Sequence, residues 1–415
     1  MQAIDIPKEG RTMKQGNRTV RTRYLLRGAC VAVLYASAAC QAVAATVCDP
    51  NESAPGISES EIKLGTTMPL SGSGAPTGLG TAAGAKAYYE MINKAGGVKG
   101  RKINYTVLDD QYSPAVAQQQ MRTLVQRDEI FAVAGAEGTP NFLAVVPFLQ
   151  REKVPAVAPY SPSSELGTMK TPYVFMTNVD YITEFQIMAK YVIDTYKPKA
   201  ISLVGVQGNV GDDAKKGIEQ AIGGADVKLH YIPEVPGTPD FTPIATQLRE
   251  NNAEWTFLIL TSTDTGQLLQ AMHRIGYKPR TAAWAGMDDK DYIKPFGDVS
   301  QGMIVAQETA MLDSPDPLVK EFVEQFTKET GQAPSKFEEL GWVQAQIMVK
   351  ALQDSEALTR SCLMAALENM KDFKTGILPP ITFGSDQRQG VNAVGLIEIK
   401  GEGTAQVLPF TPVQR

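Results

Sequence analysis

Only two histidines, His230 and His273, occur in 415 residues, and cysteine is limited to four. With so few imidazoles and no Cys or His cluster at ligand spacing, a metal centre and histidine acid–base chemistry lose their usual means. His273 falls in GQLLQAMHRIGY, where a place on a helix surface is expected. The chain also lacks a G-x-S-x-G elbow, a P-loop and an H-E-x-x-H helix. The apolar run from Ala29 to Ala39 is too short for a permanent membrane span, which takes roughly 20 residues.

That run has a different use. Lys8, Arg11, Lys14, Arg18, Arg21, Arg23 and Arg27 precede it, and the small residues Ala42, Val43, Ala44 and Ala45 follow it. This is the pattern of a secretory signal over residues 1–45, with cleavage expected near Ala44 or Ala45 and Met13 as an alternative start. Cys40 would be a lipid attachment site, but Ser37 stands where a bulky aliphatic residue is expected. The mature protein is expected to be exported, to the periplasm or otherwise outside the cytoplasm.

Without the leader the chain holds 33 Lys plus Arg against 43 Asp plus Glu, a net charge of −10. That balance argues against nucleic acid or anionic lipid as partner. Cys48 and Cys362 remain as an even pair in an oxidising compartment, so a single disulfide tying the N-terminus to a late helix is expected, the alternative being two inert thiols.

The clearest local signal runs from Glu61 to Ala95. EIKLGTTM reads as a strand, PLSGSGAPTGLG as a long glycine-rich loop, and TAAGAKAYYEMINKAGG as a helix. A strand feeding a helix N-terminus through such a loop presents free backbone N–H groups, which suit a carboxylate or phosphate. Strand-like runs then alternate with helical ones: Lys102 to Asp110, helix 115–127, Ile130 to Gly135, helix 141–152 and Val154 to Pro159. Asp109 and Asp110, ahead of Ser113 and Pro114, read as a turn with a helix cap.

The alternation restarts at Pro172 to Thr177 and continues through helix 182–196, AISLVGV, helix 212–222, VKLHYI, helix 241–251, WTFLILTS, helix 265–275 and TAAWAG. Such alternation specifies parallel sheets with helices on both faces, and about 370 residues exceed what one core organises. After a strand at 302–307 come helices 317–330, 337–354 and 357–370, then a strand pair at 395–400 and 405–410. The helices are expected to complete the first lobe and the strands to return to the second. This gives an α/β fold of two doubly wound lobes, 46–177 plus 308–376 and 178–307 plus 377–415, joined by three crossovers and presenting strand ends to a cleft.

From about Glu61 to Phe410 the chain resembles the substrate-binding proteins of branched-chain amino acid type ABC importers, the Leu/Ile/Val-binding group of type I periplasmic binding proteins. The residues that carry this are IKLGTTMPLSGSGAPTGLG, INKAGGVKGRKINYTVLDDQYSPAVA, VAGAEGT, VPAVAPYSPSSEL and GQLLQAMHRIGY. The resemblance implies no catalysis and no cofactor, a small-molecule solute trapped by lobe closure, and the permease subunits of an importer as partners.

It also implies site residues. Gly138 and Thr139 match the position that holds a solute carboxylate, and Tyr160, Ser161 and Ser163 match the second carboxylate-binding loop, with Pro162 where a hydroxyl is common. Thr77 and Val210 stand where the branched-chain binders carry aromatic residues. Ser262 ends a second-lobe strand, Asp288 is close to the acid that pairs with an α-ammonium, and Tyr181 offers a packing surface, whereas Trp284 is expected in the core. The missing aromatics leave open whether the solute is an amino acid or an organic acid without an amine.

Two other readings compete. Gly78, Gly80 and Gly84 with Asp109 suggest a dinucleotide site of a secreted enzyme, but the spacing is G-x-G-x-x-x-G, and Pro69 and Pro76 interrupt the tight turn a pyrophosphate needs. A ligand-sensing receptor module would share the fold. The segment beyond Phe410 carries no signature of a membrane helix, kinase or helix-turn-helix, which favours the free binder.

Overall fold

The computed structural model describes residues 45–169, 171–288, 297–401 and 403–412. Residues 1–44, which hold Cys40 and nearly all of the leader, lie outside the described residues.

Two sheets organise the chain. Strands β1 (Glu61–Met68), β2 (Lys102–Asp109), β3 (Ala132–Ala134), β4 (Ala156–Val157) and β5 (Val174–Phe175) form a parallel sheet in the order β2-β1-β3-β4-β5. The second sheet begins with β6 (Ala200–Val206), β7 (Lys228–Glu234), β8 (Trp255–Ile259), β9 (Arg280–Ala283) and β10 (Ile304–Gln307), all parallel. An antiparallel pair, β11 (Ala393–Lys400) and β12 (Gly403–Pro412), completes the order β12-β11-β10-β9-β8-β6-β7. Several strands read as continuous apolar runs because both faces are covered by helices; every residue of β8 is buried. The strand near residue 175, which opens the second series in the sequence, is the fifth strand of the first sheet.

Helices α1 (Ala75–Lys94), α2 (Pro114–Arg122), α3 (Thr139–Arg151) and α4 (Ser164–Thr168) connect the first sheet. Helices α5 (Tyr181–Tyr196), α6 (Asn209–Ile222), α7 (Thr242–Asn251) and α8 (Ser262–Arg274) serve the second. After β10 the chain returns to the first sheet as α9 (Pro317–Thr330), α10 (Lys336–Asp354) and α11 (Arg360–Glu368), with α10 laid along α1. The chain thus passes between the lobes three times: between β5 and α5, after β10, and between α11 and β11. Near the last passage Phe383 packs edge-on against Phe175 at 5.3 Å, and Gln389 bridges to Met176.

The glycine-rich stretch departs from expectation. Residues 75–80 belong to α1 rather than to a loop, and Pro76 occupies the first turn, where its missing N–H costs nothing. The glycines are there for packing. A Cβ on Gly84 would stand 1.9 Å from the Glu338 carbonyl oxygen, and one on Gly341 the same distance from that of Thr81. Backbone-to-backbone approach of α1 and α10 therefore requires glycine on both helices. It also removes the dinucleotide reading, since these glycines form no phosphate-cradling loop. Trp342, Phe322 and Phe326 fill the space beside this crossing, with centroids 5.3 Å apart for Phe322–Trp342.

The segment that begins the described residues is tied down. Cys48 and Cys362 form a disulfide across 314 residues of sequence, and the backbone N–H of Thr46 donates to Glu368 at 2.7 Å.

Candidate functional site

Strand order decides where a site forms. In the first sheet the order reverses between β1 and β3, and in the second between β6 and β8. At such a reversal adjacent crossovers leave to opposite faces, and a crevice opens beyond the strand C-termini. The two crevices meet in one cavity. After β1 come Gly74 and Thr77, and after β3 come Glu137, Gly138 and Thr139. Val206 ends β6 and Val210 follows it, while Ile259, Leu260 and Thr261 stand at the end of β8. Tyr112, Tyr160, Tyr181 and Trp284 complete the wall. About 430 Å³ is free of protein atoms, part of it open to solvent, and about 30 Å³ is reachable by the centre of a water molecule, so the walls stand close together.

Several of the residues singled out from sequence meet here. Thr77, Gly138, Thr139, Tyr160, Tyr181 and Val210 all line the cavity. Gly138 takes φ 104°, which turns the chain from β3 into α3. Thr139 opens α3, and Pro140 after it has no N–H, which leaves the N–H groups of Thr139 and Asn141 at the helix start without intrahelical partners. The Thr139 hydroxyl shares a 3.2 Å hydrogen bond with the Tyr181 hydroxyl of α5, joining the two lobes across the cavity. Tyr181 N–H donates to the Pro162 carbonyl at 2.7 Å, so the loop after β4 fixes where α5 begins.

Other candidates have other work. Ser163 caps α4 by accepting from Glu165 N–H at 3.2 Å. Ser161 and Ser262 are buried with unpartnered hydroxyl oxygens, but neither lines the cavity; the neighbouring Thr261 does. Asp288 ends a short 3-10 turn, Ala285–Asp288, and its side chain lies outside the described residues. Trp284 combines two roles: its indole N–H donates to the Leu260 carbonyl at 2.7 Å while its ring faces the cavity.

Sequence reasoning passed over Glu137, Tyr112 and Thr261. Glu137 sits within VAGAEGT, the motif inspected for Thr139, and only 5% of it is exposed. Burial pushes its carboxyl up to about 8; a Thr77 hydrogen bond pulls the other way, and the charge of Asp110 adds to the rise. Thr77 carries a single hydroxyl hydrogen, directed in this conformation to the Gly74 carbonyl at 2.8 Å. The Oε2 atom of Glu137 has no partner. Asp110, fully buried behind it, is pushed to about 7 by burial although it accepts from Asn141 Nδ2 at 2.6 Å and Tyr112 N–H at 3.0 Å. On the facing lobe Asp264 accepts from Thr261 Oγ1 at 2.8 Å, and burial raises Glu234 to about 7. No Lys, Arg or His lines the cavity among the described residues.

The lobes are also latched at the rim. Asp213 of α6 reaches across to α4, accepting from Ser164 N–H at 2.8 Å and Ser164 Oγ at 2.7 Å. Asn209 donates to Glu165 beside it.

Two α/β lobes that enclose a small cavity of mixed polarity between their strand ends have the form of a container for a small molecule. The comparisons narrow the class: the sequence profile of the periplasmic binding protein family matches residues 61–404, and this chain belongs to that family. Over 245 residues it is 27% identical to the Leu/Ile/Val-binding protein homolog 3 of Brucella melitensis, an alignment that covers 59% of this chain and 66% of that one. Its fold matches a fatty acid ABC transporter substrate-binding protein from Thermomonospora curvata, with TM-score 0.80, 21% identity and coverage of 88% of this chain and 95% of that one. It also matches a branched chain amino acid ABC transporter from Thermus thermophilus with bound valine, with TM-score 0.79, 20% identity and coverage of 86% and 98%. Family members are binding proteins rather than enzymes.

Proposed function

We propose that this protein is the extracytoplasmic solute-binding component of an ABC importer, delivering a small amino acid or organic acid to membrane permease subunits. The observation that carries the reading is the junction of the two switch-point crevices, which places Thr77 and Thr139 of one lobe opposite Val210 and Thr261 of the other. A solute would dock first on the Thr139 hydroxyl and the free N–H groups of α3, which suit a carboxylate. Closure of the second lobe would then remove the remaining surface from water, with the solute's preference for the shut form setting the population. The signal read from residues 1–45 supports export, and the net charge of −10 beyond it supports a soluble carrier rather than one bound to anionic lipid.

The lobes we infer are 46–177 plus 308–376 and 178–307 plus 377–415, hinged at the three passages. The relatives' ligands include valine and a fatty acid, so the shared fold leaves the solute to be set by the cavity wall. A thermal-shift screen of the mature chain against amino acids, aromatic acids, small amides and dicarboxylates tests the function. A member of these classes should raise the melting temperature by several degrees at millimolar concentration, since binding to the folded state alone stabilises it. No shift in any class would overturn the transport reading.

A further inference from the structure

Acids from both lobes converge at one edge of the cavity. Asp110 and Glu137 follow β2 and β3, while Glu234 ends β7 and Asp264 lies in the first turn of α8. All four are buried, none more than 5% exposed. Tyr112 stands among them: each of the four charges acts on its hydroxyl, and it lines the cavity with Glu137 and Thr261. Thr261 Oγ1 donates to Asp264 at 2.8 Å, and Gly237 N–H does so at 3.0 Å. Across the cleft Asp110 Oδ1 takes Tyr112 N–H at 3.0 Å, while Glu137 Oε2 has no partner.

The elements packed around this seam add hydroxyls and further acids. Asp109 adjoins Asp110, α5 brings Tyr181 and Glu184, and α6 brings Asp212, whose charge acts on Tyr231 of β7. Glu308, after β10, acts on Tyr160. Arg151 and Arg274 end α3 and α8, helices whose first turns face the cavity and whose last turns therefore lie about 18 Å away. The charge of Lys336, which opens α10, acts on Glu184, and its ammonium donates to Thr309 Oγ1 at 2.6 Å. Carboxyls brought together out of water disfavour one another's ionisation.

Resting on the reading that the lobes open and shut, we propose that this seam of carboxyls is a proton-operated catch: the shut form holds protons that the open form releases, so acid favours closure. Parting the lobes returns water to Glu137 and takes Glu234 and Asp264 away from Asp110 and Glu137. In the shut form burial holds Glu137 at about 8 and Glu234 and Asp110 at about 7, against 4.5 for an ordinary Glu and 3.8 for an ordinary Asp. Rehydration on opening moves such groups down toward the ordinary range, so between the two sets of values the shut form binds more protons. Its stabilisation is complete below the open-form values and is lost as the pH rises through about 7 to 8. Solute capture is then strongest in a mildly acidic medium and weakens in an alkaline one.

The test is a spin-label distance measurement on the mature protein without solute, at about pH 5.5 and about pH 8.5. Labels are carried by Lys86→Cys on α1 and Gln270→Cys on α8, both exposed and on opposite lobes, while Cys48 and Cys362 are already joined. The expected result is a shut-to-open ratio at least tenfold higher in acid, and a ratio nearly independent of pH when Glu137→Gln and Glu234→Gln are combined, since the amides keep the side-chain shape and cannot titrate. The comparison in the otherwise unaltered protein stands even where the double variant fails to fold. A distance distribution that is the same at both pH values, a ratio that rises in alkali, or an equal response in the double variant overturns the catch. Adding the amino acids and organic acids of the thermal-shift screen then separates the two readings: a distance that shortens with one of them leaves solute capture standing, and a distance that never changes overturns both.

Discussion

The first sheet and its helices meet the cavity with Thr77, Glu137, Thr139 and Tyr160, and the second meets it with Val206, Val210, Ile259, Leu260 and Trp284, relieved by Thr261 and the Tyr181 hydroxyl. Both walls come from the same device, a strand ending at a switch point and a helix starting beyond it. The contrast lies in what each turn exposes. After β3, Gly138 at φ 104° brings a carboxyl and a hydroxyl to the surface of the turn, whereas after β6 the corresponding turn brings Val210. A polar wall fixes orientation through directional bonds, and an apolar wall adds area that counts only once water is excluded. Docking on the first lobe and closure by the second follow from that division.

The sharpest way to break the contrast is to make both walls polar. Val210→Asp would bury a second carboxylate in the shut cleft, at a cost of about 3 kcal/mol or more, so solute affinity should fall over roughly 100-fold. Titration of that variant with the solute found by screening would measure it, and a loss below tenfold would mean that the second wall does not close on the ligand. A smaller effect is expected from Thr139→Ala on the polar wall, which removes one hydrogen bond worth about 1–1.5 kcal/mol, or roughly tenfold in affinity, with little change in ligand-free stability. Unchanged affinity would take the carboxylate away from α3. The mildest change, Asp213→Ala, removes a cap that one lobe lends the other only when shut. A typical cap of about 1 kcal/mol corresponds to roughly fivefold weaker binding, without loss of ligand-free melting temperature if the open form dominates there. A drop in that melting temperature with affinity preserved would make the Asp213 bridge part of the resting fold instead.

Much of the architecture was legible because buried parallel strands show as short apolar runs, and the runs at 61–68 and 200–206 have the same limits in sequence and structure. What failed did so where distant residues decide. Glycine density before residue 81 signals a loop locally, yet Gly78 and Gly80 lie in α1, where a Cβ on Gly78 would stand 2.0 Å from the Pro69 carbonyl oxygen and one on Gly80 2.7 Å from Phe337 Cβ. Thr77, Thr139 and Val210 were found through family motifs, which mark position rather than contact. Ser163 and Ser262 share the composition of site residues, but neither is among the residues that line the cavity, and Ser163 caps α4. Glu137 escaped notice because an acid at a strand end reads as a solvated loop residue, and only the fold shows that the loop is covered by a second lobe. The pairing of Cys48 with Cys362, fastening the segment that follows the leader to a late helix, was readable from an even cysteine count together with the helical pattern around Cys362.

The most direct measurement is the radius of gyration of the protein in solution by small-angle X-ray scattering, with and without the solute found by screening. The account predicts a smaller radius once the solute is bound, because the solute favours the shut form of the two lobes. The same radius in both states, with the solute shown to be bound, would contradict it.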